Sequence, residues 1–83
     1  MKQHTMIYVD LGYVKDPTQI VVIKNDAIYE IATLAKRTDI NEVVDYVIDL
    51  VTKYGLRSDQ VRAYAHPALE HAVRERMGKR GVV

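Results

Sequence analysis

The pattern of apolar and polar positions predicts four short strands. The apolar run at residues 6–9 predicts the first strand, and the β-branched run at residues 18–23 predicts the second. Asparagine and aspartate at positions 25–26 tolerate the backbone angles of a tight turn, so residues 27–35 are expected to return as the third strand of a hairpin. A further apolar alternation at residues 61–65 predicts the fourth strand.

Two helices are predicted from helical spacing and from their end signals. Asp39 and Glu42 form a potential capping box, and the apolar residues that follow recur at helical spacing until Gly55, where the helix is expected to stop. Pro67 suits the first turn of a second helix that runs through Met77. A strand-helix-strand connection favours a right-handed crossover, which places the fourth strand parallel to the first. The expected fold is therefore α/β, in the order β-β-β-α-β-α, with a mixed sheet that is antiparallel over its first three strands.

Composition excludes several classes of protein. The chain has 83 residues, enough for one domain, and no cysteine, which rules out disulfides, thiolate zinc sites and a cysteine nucleophile. It contains neither a long apolar run nor an apolar leader at its start, so we expect no membrane span and a cytoplasmic location. The net charge of +1 hides an uneven distribution, because residues 57–83 carry six basic and three acidic side chains. The six tyrosines, apart from Tyr13 in a loop, are expected at core-facing positions.

Candidate metal ligands follow the predicted parallel strands. Asp10 follows the first strand and His66 follows the fourth, and sites in open α/β sheets form at such carboxyl ends. Asp16, in the next loop, is a further candidate for a catalytic role beside Asp10. Carboxylates would select Mg²⁺, and a histidine shifts the preference towards Mn²⁺ or Zn²⁺. The alternatives are structural: Asp10 ends a strand, Asp16 opens a turn before a proline, and His66 caps a helix or lies in a loop.

The basic end of the chain is a candidate nucleic-acid contact. Phosphates could be bound by four basic residues near the C-terminus: Arg74, Arg76, Lys79 and Arg80. Two predicted i,i+4 pairs on the second helix, Glu70–Arg74 and Glu75–Lys79, would reduce the charge available for that role.

Residues 7–22 carry a resemblance to a known family. They read Ile-Tyr-Val-Asp-Leu-Gly-Tyr-Val-Lys-Asp-Pro-Thr-Gln-Ile-Val-Val, which resembles the Asp-Phe/Leu-Gly-Tyr…Asp-Pro-Thr opening of the nuclease domain of phage terminase large subunits. The resemblance extends more weakly to the end of the chain. It implies the ribonuclease-H-like fold shared with Holliday-junction resolvases and retroviral integrases, and cleavage of DNA by two metal ions held by acidic residues.

The resemblance is incomplete at the acidic residues. Asp10 matches the acid of the first strand, whereas Tyr64, Ala65 and His66 stand where the second is expected and carry no carboxylate. The third would lie beyond residue 83. The resemblance therefore implies a single truncated ribonuclease-H-like domain over residues 1–83, lacking the last strand and helix, from a phage-type protein that would act in the host-cell cytoplasm.

Two functions remain open at this stage. In the favoured one, the protein binds a protein or nucleic-acid partner rather than cleaving efficiently. The absent fifth strand would leave the fourth as a bare sheet edge, which invites a homodimer or another protein partner. In the alternative, the chain is a metal-dependent DNA endonuclease whose active site is completed by dimerisation or by a partner chain. A fragment of a longer terminase is a third interpretation.

Overall fold

The computed structural model describes residues 4–12, 15–64 and 66–79, with the side chain of Lys79 left out. A 3₁₀ turn precedes the last strand. In chain order the elements are β1 (Thr5–Asp10), β2 (Gln19–Lys24), β3 (Ala27–Thr33), α1 (Ile40–Tyr54), the 3₁₀ turn (Ser58–Gln60), β4 (Val61–Ala63) and α2 (Pro67–Lys79). The predicted order β-β-β-α-β-α is confirmed.

The four strands form one mixed sheet in the order β3-β2-β1-β4. β2 is antiparallel to both β1 and β3, whereas β4 is parallel to β1, with Ile7 opposite Val61. The predicted α/β class and the predicted pairing are both confirmed. The connection through α1 is what allows β4 to run in the same direction as β1.

The β2–β3 hairpin closes through a two-residue turn, as predicted. Asn25 and Asp26 have φ angles of 50° and 66°, the left-handed conformation that twisted two-residue hairpins require. The Asn25 side chain also accepts a hydrogen bond of 3.2 Å from the His4 amide. Further along the hairpin the register shifts by one residue, so that Tyr29 of β3 is the extra residue of a β-bulge.

The core lies between one face of the sheet and the two helices. Ile7, Val9, Ile20 and Val22 point from the strands towards the helices and are almost fully buried. Their helical partners are the buried residues of α1 and α2: Val43, Val44, Val47, Ile48, Leu50, Val51, Leu69, Val73 and Met77. α1 contains many β-branched residues, which have modest helix propensity, so burial of its apolar face is the main source of its stability.

The two ends of α1 differ in how well they were predicted. Gly55 ends the helix in the left-handed conformation (φ 64°), as expected, and the Leu56 amide donates to the Val51 carbonyl at 2.9 Å. The capping box at the other end is wrong: the Asp39 side chain makes no capping hydrogen bond. The Asp39 carbonyl accepts from the Glu42 amide at 2.9 Å, and its carboxylate lies 3.5 Å from the Asn41 side-chain nitrogen.

The prediction of core-facing tyrosines is wrong for three of the five described tyrosines and confirmed for two. Tyr8, Tyr29 and Tyr64 are exposed. Tyr46 and Tyr54 are partly buried at the edge of the core, and Tyr13 lies outside the described residues. For Tyr8 the reason is that the helices cover only one face of the sheet, and Tyr8 alternates with the buried Ile7 and Val9 onto the other. Among the described residues, no helix is long and apolar enough to cross a membrane.

Candidate functional site

The loop between β1 and β2 is held by a pair of reciprocal hydrogen bonds. The Gly12 amide donates to the Thr18 hydroxyl at 3.1 Å, and that hydroxyl donates to the Gly12 carbonyl at 3.0 Å. Thr18 is only 2% exposed. A Cβ atom at position 12 would lie 2.8 Å from the Pro17 carbonyl oxygen, too close for any residue but glycine. Gly12 and Thr18, two residues of the terminase-like motif, therefore have a structural role in this loop.

Asp10 and His66 follow the carboxyl ends of two neighbouring parallel strands. Asp10 is the exposed last residue of β1, and the Tyr64 amide continues the β1–β4 pairing by donating to the Val9 carbonyl at 3.1 Å. His66 is exposed and precedes α2, where its carbonyl accepts from the Leu69 amide at 3.1 Å. This position agrees with the helix-capping alternative, and a metal-binding role for either residue stays a prediction.

No larger set of ligands gathers around these residues in the described part of the chain. Asp16 is exposed in the β1–β2 loop, next to Pro17. Across residues 4–12, 15–64 and 66–79, no group of three or more histidine, aspartate and glutamate side chains is placed to hold a metal ion. Asp10 and His66 would give an ion two protein ligands, so water or a second chain would have to supply the others.

The basic residues near the C-terminus have different surroundings. Arg76 is ion-paired with Asp45 of α1 and ties the two helices together. Arg74 is exposed on α2, Lys79 ends that helix, and Arg80 lies outside the described residues. A nucleic-acid contact by these four residues stays a prediction.

One of the two predicted ion pairs on α2 is replaced by another contact, and the other stays a prediction. The described residues show no pair between Glu70 and Arg74, because a Glu70 carboxylate oxygen accepts from the Ala63 amide at 2.9 Å. Glu75 lies 3.1 Å from the His71 side chain, and the position of its predicted partner, the Lys79 side chain, lies outside the description. The spacing along the helix could not reveal this competing donor on β4, the Ala63 amide.

β4 is an edge strand, but it offers little backbone for pairing with another chain. β4 is at one end of the sheet order, as expected, yet it contains only Val61, Arg62 and Ala63. Glu70 occupies the Ala63 amide, which faces away from β1. Short edge strands with satisfied amides are poor templates for pairing with another chain.

The helix-free face of the sheet carries an exposed apolar patch that the sequence analysis missed. Strand register places Tyr8 beside Val21 and Ile31, and Met6 beside Ile23 and Ile28. These six residues are called the open-face patch below. Tyr8 is 43% exposed, Ile31 55% and Ile28 64%. The patch is therefore continuous over three strands and lies in solvent.

A signal for this patch is present in the sequence. β1 and β2 are apolar at successive positions, as in Met6-Ile7-Tyr8-Val9, a pattern typical of strands covered on both faces. Only two helices are predicted, and both lie on one side of this sheet. Two helices are too few to cover both apolar faces of a four-stranded sheet, so this comparison indicates that one face is uncovered.

Charged residues flank the open-face patch. Arg62 of β4 lies opposite Tyr8, and Asp10 lies two positions further along β1. Both side chains are exposed, and in the described part of the chain neither has an ion-pair partner. Met6 and Arg62 also line an open groove of about 690 Å³, together with His4 and Arg57.

A tyrosine–lysine cluster fastens α1 to the other edge of the sheet. The Tyr54 hydroxyl donates to Glu30 of β3, and this hydrogen bond, helped by burial and by the nearby negative charge, raises the pKa of Tyr54 to about 12. The Lys24 ammonium lies 3.9 Å from the centre of the Tyr29 ring and 4.6 Å from that of Tyr54. The Lys53 ammonium of α1 lies 3.6 Å from the Glu30 carboxylate. The cluster explains how β3 is held against the helix layer.

Comparison of the chain with protein-family models, curated proteins and solved structures finds no match. The class of protein is therefore defined by the structure alone: a small α/β domain with a four-stranded mixed sheet covered on one face by two helices.

Proposed function

We propose that this protein is a protein-binding domain and that its binding surface is the open-face patch. The observation that carries the proposal is the exposure of Tyr8, Ile28 and Ile31 on the same helix-free face of the sheet. Leaving such residues in water is unfavourable, and contiguous apolar patches on small proteins are often sites of interaction.

The size of the patch fits a binding role. The three strands of the patch, about 4.8 Å apart and about six residues long at about 3.3 Å per residue, give a face of roughly 300 Å². This lies at the lower end of the range of roughly 300–600 Å² that is typical of the largest apolar patch on a monomer.

The proposal also keeps the resemblance to the terminase nuclease domain, as a domain of ribonuclease-H-like fold that binds rather than cleaves. The parallel pairing of β4 with β1 and the order of the elements support it, since the resemblance implies both. The roles of Gly12 and Thr18 in the loop give their part of the motif a structural explanation that needs no catalysis.

A photo-crosslinking experiment tests the binding surface. A benzophenone amino acid replaces Ile31 in the expressed protein, and a matched variant carries it in place of Ile40, which is 43% exposed but lies on α1. We expect protein adducts on irradiation from position 31 and not from position 40, and their loss when Ile28→Thr is added. Equal adducts from both positions, or none from position 31, would overturn the proposal.

Metal-dependent DNA cleavage, completed by a second chain, is the alternative function. It is favoured by the exposure of Asp10 and His66 beyond neighbouring parallel strands. It predicts nicking of supercoiled plasmid in Mn²⁺ or Mg²⁺ that Asp10→Ala abolishes and Asp49→Ala, a change on the exposed side of α1, leaves intact. Nicking that survives Asp10→Ala would exclude Asp10 as a ligand, and the absence of nicking would leave binding as the function.

A further inference from the structure

We propose that the occupant of the open-face patch is a second copy of this chain, packed face to face across a two-fold axis. This inference rests on the proposed function, because it names the partner of the same surface. It predicts a dimer in which the two sheets form the inside and the helices of both copies lie outside.

The charges on this face suit a second copy. Asp10 and Arg62 are its two charged outward-facing strand residues, and their charges are opposite. A face with no net charge neither repels its own copy nor selects a strongly charged partner such as DNA. In a two-fold interface every contact between two different residues occurs twice. Asp10 of each copy can therefore pair with Arg62 of the other.

The strand register shows that such a pairing is geometrically possible. Arg62 lies opposite Tyr8, and Asp10 is two residues further along β1, so the two charges are offset by about 4.8 Å across the strands and about 6.6 Å along them. A two-fold axis that lies in the interface, diagonally between these positions, places each Asp10 opposite the Arg62 of the second copy. The same rotation places Ile31 over the second copy's Ile23. The strands of the two sheets then cross steeply, as in orthogonally packed sheets.

The area predicts a reversible dimer. About 300 Å² from each copy gives roughly 600 Å² in total, which is below the ~1,200 Å² of a standard stable interface. Association should therefore be weak and visible only over a range of protein concentration, and a permanent dimer is not expected.

Charge exchange tests the arrangement directly. Sedimentation velocity of the whole chain, from about 10 μM to about 500 μM, should show a monomer–dimer equilibrium. Arg62→Asp and Asp10→Arg should each weaken it at least about tenfold, because each places like charges together twice. An equimolar mixture of the two variants should recover the wild-type association, since both contacts are then between opposite charges.

Two further variants test whether dimerisation depends on the open-face patch and not on another part of the surface. Ile31→Thr should weaken the dimer by removing apolar area from the patch while keeping a β-branched residue in the strand. Arg74→Asp, a charge reversal on the exposed side of α2, should leave it unchanged. Circular dichroism on each variant checks that the domain remains folded.

The outcomes distinguish this inference from the proposed function. A monomer at every concentration, or a dimer that none of the face variants weakens, would overturn the inference. Crosslinks from position 31 to a different protein, with the chain itself monomeric, would overturn the second copy as occupant and leave the proposed function standing. Self-crosslinks at position 31, together with recovery in the mixed variants, would support both.

Discussion

Thr18→Val is the substitution that best tests the role of the β1–β2 loop. Valine keeps the shape of threonine but removes the hydroxyl, and with it both hydrogen bonds to Gly12. Each bond is worth about 0.5–1.5 kcal/mol net, so the free energy of unfolding should fall by about 2 kcal/mol. For a domain of this size that corresponds to a fall in Tm of roughly 8–16 °C.

Thr18→Ser is the matched control. It keeps the hydroxyl and removes one buried methyl group, which costs about 1 kcal/mol. Urea denaturation followed by far-ultraviolet circular dichroism gives both free energies. If the hydrogen bonds hold the loop, the valine variant is the less stable of the two. If the valine variant is as stable as the wild type, or more stable than the serine variant, Thr18 contributes through packing alone and the reasoning is refuted.

Three other predictions concern the ends and edges of the helices. Because the pKa of Tyr54 is raised from 10.0 to about 12 in the folded protein, its contribution to stability is complete below pH 10 and is lost as the pH rises towards 12. The difference in unfolding free energy between wild type and Tyr54→Phe should therefore shrink over that range, and a constant difference would contradict it. Gly55→Ala should cost about 1 kcal/mol of stability from backbone strain alone, since a Cβ there meets no atom within 4 Å, and Gly55→Asn should cost less. Arg76→Ala should cost less than about 1 kcal/mol in thermal unfolding, because its pair with Asp45 is 31% and 57% exposed, and the loss should be smaller still in high salt.

Local signals in the sequence predicted the fold well. The β-branched run of β2 and the Asn25-Asp26 turn fixed the hairpin, and Gly55 fixed the end of α1, because each depends on residues close together in the chain. The capping box predicted at Asp39 is absent because the Glu42 amide donates to the Asp39 backbone carbonyl, while the Asp39 carboxylate accepts from the Asn41 side chain. The acceptor for the Ala63 amide could not be found from helical spacing, since it depends on how α2 packs beside β4.

The candidate site was harder to predict than the fold. Positions at the carboxyl ends of strands follow from topology, so Asp10 and His66 could be named from the sequence. The open-face patch depends instead on which face of the sheet the helices cover, and the periodicity of the strands does not determine this. β4 was predicted correctly as an edge strand. It is short, and Glu70 accepts a hydrogen bond from its Ala63 amide, so the helix-free face is the better candidate for a binding surface.

The parallel pair of β1 and β4 has a consequence for how the chain folds. β1, β2 and β3 are joined by short connections, whereas Ile7 must meet Val61 from more than half the chain length away. Closing that long loop is entropically costly until α1 has formed and covered the sheet. The three-stranded meander is thus expected to form early and the β1–β4 pairing late. Until the last step, one side of β1 is an open edge, and it is during this interval that the chain is most exposed to aggregation.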